Sequence, residues 1–283
     1  MKLLIIGSGG MLGHMLTLYL KEQGYECCDV SKSHKCTEDT DCIDVLNFNV
    51  FSEYLFKGNF DVVINCAAML VKASEENKVE AIKLNSLFPH WLEKYYENSN
   101  TRVIQVGTAG VYYGDNAPYF ENSRHDTMNF YGQTKSLGEL NNSKDLTVRS
   151  DYWGPDMRPE GVGLFNWALI QKEQVSGYNK VYINGISSLE FAKFIEYIIN
   201  NPLYGIINIH AKENITKADL LRKIYVSMKK DINVIDSPFT ERDTCVKSER
   251  NDCMYKCKSY DQQLHELYEW IIKHKELYSH YFK

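Results

Sequence analysis

The chain has 283 residues, of which 44% are hydrophobic and 24% charged, ordinary values for a globular protein of one large domain or two lobes around a cleft. Its formal net charge of −5 and the lack of a long basic run argue against nucleic acid as a partner, because a phosphate backbone needs a basic face. No apolar run reaches the ~18 residues of a membrane span, and the N-terminal apolar stretch is short and breaks at glycines, so neither a membrane segment nor a secretory leader is expected.

Lys2–Ile6 reads as a short buried strand, and it runs straight into Gly7-Ser8-Gly9-Gly10-Met11-Leu12-Gly13. Leu12–Gln23 then has helical spacing and stops at Gly24. A strand that turns sharply into a helix needs one glycine for the turn and another so that a phosphate can approach the backbone. Gly7, Gly10 and Gly13 stand where this requires, and the helix N-terminus would add free N–H groups and a positive dipole end. The spacing Gly-x-x-Gly-x-x-Gly directly after an apolar strand points to a dinucleotide pyrophosphate.

Tyr25–Val30 reads as the second strand, with its end near Ser31. An acidic residue there would bind the ribose hydroxyls of NAD, whereas a small polar residue beside a cation suits a 2′-phosphate. Ser31 followed by Lys32 therefore favours NADP(H) over NAD(H). Asp29 is the counter-argument if the strand ends earlier, and Lys32 and Lys35 could equally belong to a solvated loop.

Asn47–Lys57 is an amphipathic helix closed by Gly58, Asp61–Cys66 a third strand, and Lys78–Leu84 and Ser86–Tyr96 two helices. Arg102–Val106 is a fourth strand, Asn129–Asn141 a helix and Leu146–Arg149 a fifth strand. Strands alternating with helices imply an α/β, Rossmann-like doubly wound parallel sheet. After Tyr152 the rhythm changes. Gly154–Pro159 is a loop, Leu164–Gln171 and Ser188–Ile199 are helical, and Ile206–His210 is a short strand. Lys217–Met228 is a helix, Ser237–Lys258 is polar and irregular, and Gln262–Leu277 is a closing helix. We expect a dinucleotide-binding domain over 1–152, with part of 186–201 returning to it, and a smaller C-terminal substrate-binding lobe over most of 153–283. The eight cysteines show no zinc-site spacing and are expected to be reduced thiols of a cytoplasmic protein, with no metal bound.

The chemistry is suggested by Tyr131-Gly132-Gln133-Thr134-Lys135, with Thr108 upstream. On a helix, Tyr131 and Lys135 share a face. A free tyrosine has a pKa of ~10 and is a poor proton donor at neutral pH, and a nearby ammonium would bring it down. Thr108, just past the fourth strand, would hydrogen-bond and polarise a substrate oxygen. Tyr-x-x-x-Lys alone is common by chance in a chain with 20 tyrosines, and an isolated pair would be read as helix surface. Its place after a glycine-rich start and a strand-end threonine favours hydride transfer at a carbon–oxygen centre.

These residues carry a resemblance. The chain resembles an extended short-chain dehydrogenase/reductase and, more narrowly, the dTDP-4-dehydrorhamnose reductase family of nucleotide-sugar enzymes. The anchors are the glycine-rich start, Asp44-Val45, Asp61–Ala68, Asn85-Ser86-Leu87-Phe88-Pro89 and Tyr131–Glu139. Val175–Tyr178 and Ile183–Glu190 resemble a stretch from one branch of reductase-like proteins. The resemblance runs over most of the chain and is weakest after about residue 230. It implies that Gly7, Gly10, Met11, Leu12 and Gly13 line the cofactor pyrophosphate, that Asp44 and Val45 flank adenine, and that Cys66, Ala67 and Ala68 run under the cofactor. It implies Thr108, Tyr131 and Lys135 as the catalytic set, giving hydride to carbon 4 of a 4-keto-6-deoxy sugar linked to dTDP, UDP or CDP, in surface polysaccharide or deoxysugar synthesis.

Departures bear on the substrate. Gly107-Thr108-Ala109-Gly110-Val111-Tyr112 stands where such enzymes often read Ser-Thr-Asp-Tyr-Val-Phe. The Asp-Glu pair of related 4,6-dehydratases is absent, which disfavours dehydration. Arg149-Ser150-Asp151-Tyr152 replaces the Arg-Thr-Ser-Trp of rhamnose-type reductases, so the sugar or base pocket is altered. Lys72, Thr108, Trp153, Asn166 and Asn184 are the candidates for substrate contact, with Trp167 read as core. An epimerase with retained NAD(P) and a non-catalytic NADP-binding subunit are the alternatives, and homodimerisation is left open.

Overall fold

The computed structural model describes residues 1–238 and 240–282. Its first half runs β1 (Lys2–Ile6), α1 (Met11–Glu22), β2 (Glu26–Ser31), β3 (Asp41–Cys42), α2 (Phe48–Gly58), β4 (Val62–Asn65), α3 (Val71–Glu76), α4 (Lys78–Ala81), a π-helical turn Ile82–Leu87, α5 (Phe88–Tyr95), β5 (Arg102–Val106), α6 (Phe130–Leu137) and β6 (Leu146–Arg149). The second half runs β7 (Tyr152–Trp153), α7 (Leu164–Leu169), β8 (Val175–Tyr178), β9 (Val181–Ile183), β10 (Ile186–Ser187), α8 (Ser188–Asn200), β11 (Gly205–Asn208), β12 (Ile215–Thr216), α9 (Lys217–Ser227), β13 (Val234–Ser237), β14 (Arg242–Asp243) and α10 (Tyr260–Lys273).

Seven strands form one parallel sheet in the order β11-β6-β5-β4-β1-β2-β3. The order reverses between β1 and β4, and the carboxyl ends of strands at such a switch point are where ligands settle in open α/β sheets. The two faces follow from side-chain alternation along β1. Leu3 and Ile5 join the core shared with α1, α8 and α10, while Leu4 and Ile6 join the core of Phe51, Phe88 and Leu92. The doubly wound sheet expected from the alternating pattern is therefore present.

Three features differ from the sequence expectation. The strand expected at Ile206–His210 is Gly205–Asn208, and it pairs with β6 at the edge of the main sheet. α8 likewise packs on the main sheet's layer, tied to α1 by Tyr19 donating to Glu196 at 2.6 Å, so the chain returns there after the second-half loops begin. The remaining lobe is built from small sheets: β7 with β10, β9 between β12 and β14, and β8 with β13. The helix expected over Asn129–Asn141 ends at Leu137.

The third difference is the π-helical turn. Lys78–Leu84 and Ser86–Tyr96 are not two helices but one run from α4 to α5, with an extra residue accommodated at Ile82–Leu87. The turn presents Asn85 and Ser86 to α6. Asn85 Nδ2 donates to Thr134 Oγ1 at 3.1 Å and to the Met69 carbonyl at 3.0 Å, and its Oδ1 accepts from Met69 N at 2.9 Å. Ser86 Oγ donates to the Thr134 carbonyl at 2.7 Å. The end of α6 rests on the same turn, because a Cβ on Gly138 would overlap the Asn85 carbonyl oxygen.

Gly138→Ala is therefore expected to destabilise the fold by about 2–4 kcal/mol. Gly24→Ala has a positive φ to accommodate but open space around the new methyl, and should cost about 1 kcal/mol. Thermal or urea unfolding of the two variants checks the order; equal losses would show that α6 is not seated by that contact.

Candidate active site

The glycine-rich loop closes on the end of β4. Gly7 has φ +85°, and a Cβ there would lie 2.8 Å from Ala67 N, so the position needs glycine for both conformation and space. Gly10 is different. It is the N-cap of α1, offers no side-chain cap, and a Cβ on it would meet only the Gly7 carbonyl oxygen at 3.5 Å. The open volume at Gly10 is a cradle that a side chain would fill, and the first N–H groups of α1, at Met11, Leu12 and Gly13, have no intrahelical acceptor. Such a site suits an anion of pyrophosphate shape. Gly13 serves packing, since a Cβ there would overlap the Gly7 carbonyl. His14 fixes the same turn. Its Nδ1 lies 3.0 Å from the Gly10 carbonyl and its Nε2 2.8 Å from Tyr278 Oη, and burial lowers its pKa, so the ring is neutral, donating to Gly10 and accepting from Tyr278.

A cleft runs from this loop past Ser31, Lys32, Asp44 and Val45 on one side and Cys66, Ala67 and Ala68 on the other. The strand register expected from sequence holds: β2 ends at Ser31. Asp29, the alternative ribose ligand, is buried and committed, taking the Lys21 ammonium at 3.2 Å and the Thr40 hydroxyl at 2.7 Å. Lys32 is not a free cation, however. Its Nζ pairs with Asp44 at 2.8 Å, which holds the lysine above and the carboxyl below its ordinary pKa range. The sequence reading missed Arg158. Its guanidinium lines the cleft and is aimed by Asp156, with Nε–Oδ1 3.1 Å and Nη2–Oδ2 3.2 Å. The only hint was a cation within the Gly154–Pro159 loop.

Thr108, Tyr131 and Lys135 converge at the end of β5. Gly107 N donates to the Val148 carbonyl at 2.7 Å and Ala109 N to the Ser150 carbonyl at 3.0 Å, so the turn carrying Thr108 is stitched to the extension of β6. Asn129 caps α6 through Gly132 N at 2.7 Å, and a Cβ on Gly132 would overlap the Gly110 carbonyl oxygen. That close approach lays Tyr131 beside the Thr108 turn. Burial pushes the Tyr131 phenol up to about 12, and the Thr108 hydroxyl pulls against that rise. Lys135 is 3% exposed, donates to the Val106 carbonyl at 2.7 Å, and is pulled down to about 8 by burial. The expected lowering of the phenol by the Lys135 ammonium is thus not what the structure holds. The group drawing the phenol down is Thr108.

The candidates for substrate contact fare less well. Trp153 is core: its Nε1 donates to the Gly185 carbonyl at 3.2 Å, and its ring stacks with Phe165 at 6.2 Å and Tyr260 at 6.0 Å. Asn166 is fully buried, donating to the Pro159 and Gly161 carbonyls at 3.2 and 2.5 Å and accepting from the Tyr281 hydroxyl at 2.6 Å. Asn184 clamps Val246, donating to its carbonyl at 2.8 Å and accepting from its N–H at 3.0 Å. These three tie loops together and have nothing left to offer a ligand. Lys72 stands on α3 with its side chain 89% exposed, 3.9 Å from Glu76. Trp167, expected in the core, is 39% exposed, and with Val162, Ile170 and Lys217 lines a shallow depression on the second lobe. Arg149 is buried against Glu139, with Nε–Oε1 and Nη2–Oε2 both 2.6 Å, and is structural. No helix among the described residues is long and apolar enough to cross a membrane.

Comparison with known proteins gives the same outline. The family model described as RmlD substrate binding domain matches residues 1–148. The spore coat polysaccharide biosynthesis protein SpsK of Bacillus subtilis is 27% identical over 157 residues, 54% of this chain and 53% of that protein. A dTDP-4-dehydrorhamnose reductase of Mycolicibacterium smegmatis is 28% identical over 141 residues, 49% of this chain and 40% of that protein. The chain spans about half the length of the curated relatives it matches. Among solved structures, a Bacillus anthracis dTDP-4-dehydrorhamnose reductase in complex with NADP superposes with TM-score 0.82 at 18% identity, covering 95% of this chain and 100% of that one. A Thermotoga maritima UDP-glucose 4-epimerase with UDP-glucose superposes with TM-score 0.80 at 17% identity, covering 97% and 100%. Both superpositions show a shared fold.

The buried lysine predicts a stability signature. An unfolded lysine keeps its proton to a pKa of ~10.4, whereas folded Lys135 releases it near 8. Between those values the unfolded state binds more protons, so this group's contribution makes stability rise with pH. Lys135→Met should be more stable than wild type at pH 7, by on the order of 2–3 kcal/mol, and wild type should close that gap between about pH 8 and 10. Unfolding curves of both proteins across that range check it; a gap independent of pH would show Lys135 to be unperturbed.

Proposed function

Because this chain belongs to the RmlD substrate binding domain family, we propose that it is an NADPH-dependent reductase of a nucleotide-linked 4-keto-6-deoxy sugar, acting in the cytoplasm in polysaccharide or deoxysugar synthesis. The observation that carries the proposal is the convergence of Thr108, Tyr131 and Lys135 at the end of β5, on the same sheet edge as the open glycine cradle at Gly10. The names of the relatives and the NADP in the Bacillus anthracis structure support it.

The nicotinamide cofactor, when bound, supplies the hydride. The chain's own residues do the rest. The N–H groups of Met11, Leu12 and Gly13 would hold the pyrophosphate, and Arg158, which lines the same cleft, would add a guanidinium. Lys32, shared with Asp44, would meet a 2′-phosphate, which favours NADP(H). A phenol with a pKa of about 12 holds its proton at neutral pH, so Tyr131 enters the reaction as an acid and donates that proton to the carbonyl oxygen. Thr108 is placed to hydrogen-bond the same oxygen and to steady the phenolate that remains. Lys135, with a pKa of about 8, is one helical turn away and matched to neutral pH, so it is suited to orient a ribose hydroxyl and restore the lost proton. The second lobe offers Trp167 and Lys217 to a nucleoside diphosphate.

The test is a panel of dTDP-, UDP- and CDP-linked 4-keto-6-deoxy sugars with NADPH absorbance followed against product. One NADPH should be consumed per product; product without net NADPH loss would mean an epimerase that retains its cofactor. Tyr131→Phe should lower kcat by about 10²–10⁴-fold while leaving NADPH affinity unchanged, and full turnover in that variant would remove Tyr131 from the mechanism. Lys32→Ala should weaken NADPH about tenfold, the loss of one charge-assisted contact, and leave NADH unchanged.

A further inference from the structure

We propose that Asp151 is a specificity-determining residue, its carboxylate placed to accept a hydrogen bond from a donor group on carbon 3 of the sugar, beside the carbonyl that Tyr131 protonates. The inference rests on the reductase reading above and adds a constraint on the substrate to it.

The backbone around Asp151 is held from both lobes. On one side, the preceding Ser150 carbonyl takes Ala109 N at 3.0 Å, next to Thr108. On the other, the Asp151 carbonyl accepts from Ile186 N at 2.9 Å, and a Cβ on Gly185 would sit 2.7 Å from Asp151 Cβ. The carboxyl group is thereby fixed in the seam between the lobes, close enough to Tyr131 to raise its pKa. It faces groups from every element packed around it: Tyr131 of α6, Tyr152 of β7, Lys217 at the start of α9, Thr244 and Cys245 after β14, and Tyr260 of α10.

These neighbours leave the carboxylate underused. Its hydrogen-bond donor is the Thr244 hydroxyl, 3.2 Å from Oδ2, and no cation among the described residues lies within salt-bridge distance. The structural aspartates of this chain look different. Asp145 accepts from Val103 N on one oxygen and from Asn142 on the other, and Asp29 takes Lys21 and Thr40 on separate oxygens. A carboxylate offers about four lone-pair sites, and Asp151 has spare ones that stay accessible in a half-buried seam, open to a ligand. Burial pushes its carboxyl up, against the opposing pull of Lys217 and the Thr244 hydroxyl.

The chemistry of the proposed substrate narrows the partner. The oxygen protonated by Tyr131 is on carbon 4. Of its neighbours in a 6-deoxy sugar, carbon 5 bears a methyl group and carbon 3 bears the hydroxyl or amine that can donate. A serine at this position would both donate and accept, whereas an ionised aspartate only accepts. A site built to bond a donor rejects an analogue that lacks it.

The experiment compares two nucleotide-linked 4-keto-6-deoxy sugars, one with a carbon-3 hydroxyl and its 3-deoxy counterpart. Affinity for the protein loaded with NADP⁺ is measured by calorimetry, and kcat and KM with NADPH. Wild type should prefer the hydroxylated sugar about tenfold to a hundredfold, and Asp151→Asn and Asp151→Ala should bring the ratio towards one, with most of the change in KM. Equal wild-type affinities would overturn the proposal whether or not the variants fold, as would an unchanged preference in folded Asp151→Ala. Selective binding without NADPH consumption would sink the reductase reading and leave the role of Asp151 standing.

Discussion

The helix that carries Tyr131 and Lys135 is seated on backbone. Near its start, Gly132 lies so close to the Gly110 carbonyl that no side chain fits between them, and just past its end Gly138 meets the Asn85 carbonyl in the same way. Two glycines six residues apart thus bring α6 against the strand-end turn at one end and the π-helical turn at the other. Asn85 and Ser86 then bond Thr134 between them. A helix held this way has little room to roll, and the two functional side chains inherit its position.

That seating sets the electrostatics. Pressed against β5, both groups are desolvated, and desolvation moves them in opposite senses because it penalises whichever form is charged. The phenol rises and the ammonium falls. In free solution tyrosine and lysine titrate within about half a unit of each other; here the phenol holds its proton firmly at neutral pH, and the amine sits near the pH at which it can exchange one. Thr108 moderates the phenol, and it can do so because Gly107 and Ala109 on either side of it are stitched to β6. The cost is a lysine buried with one carbonyl for company, a local instability that the surrounding core outweighs.

Much of this was legible in the sequence, for local reasons. Short Val/Ile-rich strands alternating with amphipathic helices leave few folds to choose from, and Gly7, Gly10, Tyr131 and Lys135 are read from their spacing together with the strand before the glycines and the strand-end Thr108. What stayed hidden depends on distant partners. The π-helical turn places Asn85 against Thr134 and Met69, and the placement of β11 beside β6 is a pairing across more than fifty residues. The end of β2 near Ser31 was read from the sequence, but the commitment of Asp29 to Lys21 and Thr40 was not, since both partners lie in separate segments. Trp153, Asn166 and Asn184 misled because an amide or indole in a loop looks the same in sequence whether it binds a ligand or its own backbone.

That last error is informative about how the second lobe works. Its small sheets are too short to stand on main-chain pairing alone, with only two to four residues in each strand. Polar side chains supply the missing connections: Asn166 joins the Pro159–Gly161 loop to Tyr281, Asn184 holds Val246, and Asp156 is bonded to Tyr281 while it aims Arg158. The C-terminal segment therefore reaches the cofactor cleft through Asp156 and Arg158, and reaches the glycine-rich loop again through Tyr278 and His14. With so many polar groups spent on holding the lobe together, few of its described side chains are left with unused hydrogen-bonding capacity. Asp151 contrasts with the spent groups: Ile186 N donates to its carbonyl from the second lobe, Ala109 N donates to the preceding Ser150 carbonyl from the first, and its carboxylate takes the Thr244 hydroxyl on one oxygen, so on the proposed reading a substrate donor bonded to it would be positioned from both sides of the seam.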